Sequence, residues 1–135
     1  MPRYSGMRLA IQFAPPSDKT PPTFLTGTSG SVVAFTHLAF TVTTDEKCTI
    51  AITGGADATQ FEFVSTADAF SHVLRWVGNG TRDFGAPVDA DANNIYVVQV
   101  TATDESGNNQ TSQTISITVT ASSATPIGLL LVLTR

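Results

Sequence analysis

The chain has 135 residues, a formal net charge of −4 and only 13% charged residues, which argues for one domain and against tracking a phosphate backbone, so no nucleic-acid partner is expected. One cysteine, Cys48, with two histidines, His37 and His72, makes neither a disulfide framework nor a zinc site. Threonine supplies 21 positions, a composition of sheet rather than helix.

From the amino terminus, residues 1–22 read as an arm. Its opening, MPRYSGMRLAIQFAPP, holds only a short apolar stretch, broken by Gln12 and stopped by Pro15 and Pro16, so no secretory leader is expected. Leu9, Ile11 and Phe13 alternate there with Arg8, Ala10 and Gln12, as in a strand. Residues 23–120 form the body. Apolar residues recur with period two at Phe40 and Val42, Ile50 and Ile52, Phe61 and Phe63, Leu74 and Trp76, Tyr96 to Ala102, and Ile115 to Val119. The runs are separated by turn-formers such as TGGAD (Thr53–Asp57), GNG (Gly78–Gly80) and ESGNN (Glu105–Asn109). This spacing predicts an all-β fold, a seven-stranded antiparallel Greek-key sandwich. Helix is limited to a single turn near Thr66–Phe70.

Residues 121–135 form a tail. Ile127, Leu129, Leu130, Leu131, Val132 and Leu133 make it apolar on both faces, yet it is too short to cross a bilayer, so no membrane insertion is expected. Such a strand left in water is an aggregation hazard and needs cover. Either it packs on its own domain beside the Leu9–Phe13 strand or it docks on a neighbouring subunit or partner by strand addition. Leu9, Ile11, Phe13, Leu129, Leu130, Leu131, Val132 and Leu133 are therefore the candidate docking residues.

Five carboxylates, Asp83, Asp89, Asp91, Asp104 and Glu105, fall in one stretch with Arg82 beside them. Such a cluster stays in solvent or takes a cation. The run from Arg82 to Thr120 resembles the C-terminal half of cadherin-like repeats of bacterial and phage surface proteins. The resemblance lies in Asp83–Phe84, the loop Asp89–Ala90–Asp91, a strand opening at Tyr96, and the strand end Ala102–Thr103–Asp104. ITGGADATQFEF (Ile52–Phe63) and SGSVVAFTHLAFTV (Ser29–Val42) are similar to earlier parts of the same repeat. The resemblance implies an immunoglobulin-like sandwich with calcium ligands at the loop end, here Asp83, Asp89, Asp91 and Asp104. The chain departs from the family pattern at Ala34 and Phe35, at Gly85, and at Asp45–Glu46, where acidic residues are usual. Apart from calcium, no cofactor is expected.

Catalytic constellations are missing from the sequence. GTSGS (Gly27–Ser31) lacks nucleophile-elbow spacing, no carboxylate pair is singled out by spacing, and Trp76 and Tyr96 alternate inward as core rather than as a sugar platform. Cys48 reads as a small buried hydrophobe. The sequence thus points to a non-enzymatic structural or interaction protein. The expected role is a bacteriophage virion component, such as a decoration, head or tail accessory protein, docked by its arms to other virion proteins in a homo- or hetero-oligomeric assembly. The alternative is an extracellular adhesion or carbohydrate-binding module of a bacterial cell-surface protein.

Overall fold

A computed structural model describes residues 19–66 and 68–122. The expected docking residues Leu9, Ile11, Phe13 and Leu129–Leu133 lie outside the described residues. Seven strands follow one another: β1 (Ser29–Val33), β2 (Leu38–Thr43), β3 (Cys48–Gly54), β4 (Phe61–Val64), β5 (Ser71–Trp76), β6 (Ile95–Asp104) and β7 (Gln110–Thr120). They form two sheets, ordered β1-β7-β6-β3 and β2-β5-β4, packed as an immunoglobulin-like sandwich.

The period-two residues point where alternation requires. Val42, Leu74, Trp76, Tyr96, Val98, Val100, Ala102, Ile115 and Ile117 are fully buried, and Phe40, Ile50, Ile52 and Phe63 pack partly buried against them. Full burial of such a side chain contributes roughly 1.5–3 kcal/mol, so the facing sheets hold each other together without a disulfide. At the centre Trp76 stacks on Phe61 at 4.9 Å and meets Tyr96 edge-on at 5.0 Å. The guanidinium of Arg82 lies 4.8 Å from the Trp76 ring centre, a cation–π contact. Tyr96, near the start of β6, accepts the Val88 N–H at its hydroxyl at 3.1 Å. That bond fixes the loop before β6 in the manner of the tyrosine corner of immunoglobulin folds.

Two expectations are corrected. The sandwich is not wholly antiparallel, because β1 runs parallel to β7, with Val33 opposite Thr120. The cause is a change of sheet. Phe24 bridges Thr44 and Leu25 N–H bonds Thr43 O, beside the end of β2. The chain then crosses at Gly27–Thr28 to the edge of β7, where Ser116 N–H meets Thr28 O at 2.9 Å. The Thr66–Phe70 stretch does not form a helical turn. The Thr66 hydroxyl bonds Asp68 O and Ser71 O, and Asp68 Oδ1 accepts the Phe70 N–H, so side chains close a loop instead. Short 3-10 turns occur at Ala58–Gln60 and Val77–Asn79.

One glycine is required by its surroundings. Gly55 has φ of +102°, and a Cβ there would stand 2.6 Å from Val97 O and Val98 Cα. The TGGAD turn can therefore lie directly on β6 only with glycine at this position.

Candidate functional site

Strand pairing divides the sandwich into two poles. The ends of β1, β5 and β7 and the starts of β2 and β6 share one pole, because β1 and β7 are parallel in register and β6 is antiparallel to β7. The tail leaves from this pole, beyond Thr120. At the other pole Thr23 is tied to Asp45 through Thr23 N–H to Oδ1 at 2.8 Å and Asp45 N–H to Thr23 O at 3.0 Å. The described chain begins on this side, at Lys19. The poles are separated by the ten residues of β6, about 30 Å of extended chain.

At the tail pole several large apolar side chains face water. Val33, Phe35 and Leu38 are 48%, 58% and 58% exposed, and Val77, Phe84 and Val88 are exposed as well. Val32, Val33, Phe35, Thr36, His37 and Leu38 line a shallow groove of about 550 Å³. The β1–β2 turn that builds it is held hard. Phe35 has φ of +70°, a conformation that costs a bulky residue about 1–2 kcal/mol. It is held there by Phe35 N–H to Arg82 O at 2.9 Å and by Ala34 N–H to Thr120 O at 2.8 Å. His37 Nδ1 lies 2.8 Å from Asn79 O and 3.1 Å from Gly80 O. Both partners are carbonyls, so this nitrogen carries the proton and clamps the neighbouring loop.

Asp57 binds the same pole from beneath. It is buried, its Oδ1 accepts Ala90 N–H at 2.6 Å, and its Oδ2 accepts Val97 N–H at 2.8 Å. The sequence reading placed Asp57 in a family turn and gave it no role. Its isolated position after Gly-Gly-Ala carries no signal of the distant donors it serves.

The four expected calcium ligands do not form one set. Asp83, Asp89 and Asp91 lie in the loop before β6, whereas Asp104 ends β6 at the opposite pole. Their oxygens already have donors. Asp89 accepts Asn93 N–H at 2.8 Å and Asn94 N–H at 3.2 Å. Burial pushes its carboxyl up, but these N–H groups and the Asp91 side chain outweigh that and hold it below the usual range. Asp91, hydrogen-bonded to Asp89, is held above it. Asp83 accepts Gly85 N–H at 2.9 Å. Asp104 accepts the Ser106 hydroxyl, the Asn109 amide and the Gly107 N–H, and these lower its carboxyl to about 2. Among the described residues no three His, Cys, Asp or Glu side chains converge as metal ligands. Calcium needs six to eight oxygens, and this arrangement does not fit a single site for it.

A second cavity, of about 350 Å³, opens between the free edges of β3 and β4 and is lined by Cys48, Ile50, Phe63 and His72 among others. Cys48 Sγ stands 3.6 Å from His72 Nε2 and 3.4 Å from Thr44 Oγ1. No motif or spacing in the sequence pairs these two residues. Burial raises the thiol and lowers the imidazole, so the resting pair is a neutral thiol beside a neutral ring. An activated cysteine is the reverse, a thiolate beside a cation. Trp76 and Tyr96, fully buried, offer no sugar platform.

The fold is that of an immunoglobulin-like sandwich. No protein-family model matches the chain. No curated protein matches its sequence. Solved structures do resemble it. A mutant of the SrpA adhesin from Streptococcus sanguinis aligns with TM-score 0.50 and 19% identity, over 81% of this chain and 62% of that one. The complex of titin with an obscurin-like 1 immunoglobulin domain aligns with TM-score 0.44 and 18% identity, over 77% of this chain and 98% of that one. Among the described residues no helix is long and apolar enough to cross a membrane.

Proposed function

We propose that this chain is a non-enzymatic structural and interaction module, fixed in a larger assembly by its terminal arms, and that the assembly is a bacteriophage virion in which it serves as a decoration, head or tail accessory protein. The observation that carries the reading is the polarity of the sandwich. The two arms depart from opposite poles, and the pole that releases the tail exposes Phe35, Leu38 and Val33. A domain tethered at both ends suits a connector between other proteins better than a pocket-bearing enzyme. The virion assignment is supported by the cadherin-like resemblance, since small sandwiches of this class are attached to phage particles as added domains, an analogy of fold. The test is gradient purification of particles from the organism encoding the chain. Co-migration of the chain with particles supports the reading, and recovery only in the soluble fraction overturns it. In the same preparation, a chain lacking residues 129–135 should be incorporated less.

The alternative, an extracellular adhesion module, is favoured by one placement. Asp83, Asp89 and Asp91 lie at the pole from which a following repeat would continue, and in tandem cadherin-like arrays calcium is shared between repeats. A thermal melt with calcium and with chelator separates the readings, because a calcium-dependent midpoint belongs to the alternative.

A further inference from the structure

The groove at the tail pole has a neighbour built into the chain. Thr120 stands opposite Val33 in the parallel β1–β7 register. The Thr120 carbonyl accepts the Ala34 N–H at 2.8 Å, and its hydroxyl donates to Val32 O at 3.2 Å. Thr120 thus lies about one strand spacing, roughly 5 Å, from the groove wall, and the described chain continues two residues beyond it, to Ser122. Ile127 is five residues further on, a reach of at most about 17 Å. The groove it meets is built from one turn, Val32 to Leu38.

We infer that the segment Ile127–Leu133 of the same chain seats in the Val33–Phe35–Leu38 groove. The chemistry matches on both sides. The groove walls are three exposed apolar side chains, and the segment IGLLLVL contains no polar side chain. Tethering sets the choice between this segment and a second copy. A short flexible linker gives an effective concentration in the millimolar range, far above the concentration of free chains in a dilute sample. The strained Phe35 backbone also gains a purpose. Strain of this kind persists where surrounding bonds over-determine it, and here those bonds hold an aromatic ring outward on the groove wall. The seating is a property of the isolated chain and does not rest on the proposed function.

The experiment uses the full-length, isotope-labelled chain with Cys48→Ser and Thr134→Cys, the new thiol carrying a nitroxide. Seating predicts several-fold broadening of the Val33, Phe35 and Leu38 amide resonances, with the Asp104–Asn109 turn at the far pole unaffected. The broadening should vanish in Leu38→Ser, and equally in the tail variant with serine at Leu129, Leu131 and Leu133, which leaves the sandwich untouched. A sample in which nitroxide and isotope sit on different chains should show none. Unbroadened groove resonances overturn the inference. So does equal broadening in the mixed sample, which would assign the groove to the tail of a second copy. Particle co-migration is measured separately, so failure of the seating leaves the assembly reading standing, and the reverse also holds.

Discussion

The two poles of this sandwich solve the same problem, how to end a strand in water, in different ways. At the arm pole the chain turns through polar groups: Asp45 receives Thr23, and Asp104 receives Ser106, Gly107 and Asn109. At the tail pole it turns through strain and exposed apolar surface. Phe35, Asn79, Ala92 and Asn94, the non-glycine residues with positive φ among the described residues, all lie there, as do Val33, Leu38, Val77 and Val88. Carboxylates cap N–H groups at the tail pole too, through Asp83 and Asp89, and the arm pole exposes Leu25 and Phe70. The difference therefore lies in the left-handed backbone of the tail pole and in the groove that Val33, Phe35 and Leu38 build there, and it teaches that this pole is the one shaped for contact.

The comparison breaks most easily at Asp57. Its carboxylate is the one group that ties the TGGAD turn to both Ala90 and Val97. Asp57→Ala strands two N–H groups and should cost about 2–4 kcal/mol, read from the urea midpoint. An equal loss from Asp104→Ala would show that the poles do not differ in how deeply they are anchored. Smaller and opposite in sign is Phe35→Gly. Glycine adopts φ near +70° without penalty, so in the chain with serine at Leu129, Leu131 and Leu133, where no tail seats on the ring, relief of strain offset by chain entropy should raise stability by about 1 kcal/mol. A fall in that background would mean that the ring makes more contact within the sandwich than its exposure indicates.

How much of this was legible depended on how local each feature is. The sandwich follows from alternation, and Trp76, Tyr96, Val98 and Ile117 are buried where period two puts them. The parallel β1–β7 pairing was not legible, because a change of sheet at Gly27–Thr28 alters no side-chain pattern. The separation of Asp104 from Asp89 follows from strand β6 lying between them, which the sequence displays. It was obscured by treating the acidic run as a single loop end. The groove is the opposite case. Val33, Phe35 and Leu38 look like ordinary strand residues in SVVAFTHLAFTV; Val33 faces out by the alternation of β1, whereas the outward placing of the other two goes with the positive φ at Phe35 and the bulge between Leu38 and Phe40.

Acid should reveal the polar pole. The Ser106 hydroxyl and the Asn109 amide lower the Asp104 carboxyl to about 2 from an ordinary 3.8. A group depressed in the folded state stabilises fully above its unfolded value, and that contribution is lost as pH falls through the folded one. Between pH 4 and 2, wild type should therefore lose stability that Asp104→Asn never had, so the gap between the two chains closes on acidification. A gap that stayed constant over that window would mean that the turn, rather than the charge, holds Asp104.

The smallest expected effect is that of calcium. A cation at the tail pole would have to draw Asp89 away from the Asn93 and Asn94 N–H groups that support the left-handed residues Ala92 and Asn94. It would leave those donors unpaired, at about 1–3 kcal/mol each. Nor could Asp104 help, being a strand length away. Millimolar calcium and millimolar chelator should thus give the same melting midpoint for the isolated chain. If calcium raised it, the ion would have to outbid those internal donors, and the loop before β6 would be a ligand cradle rather than a self-capped turn. The tail pole would then owe its strained conformation to a metal, and the contrast between the poles would need to be drawn in charge rather than in apolar surface.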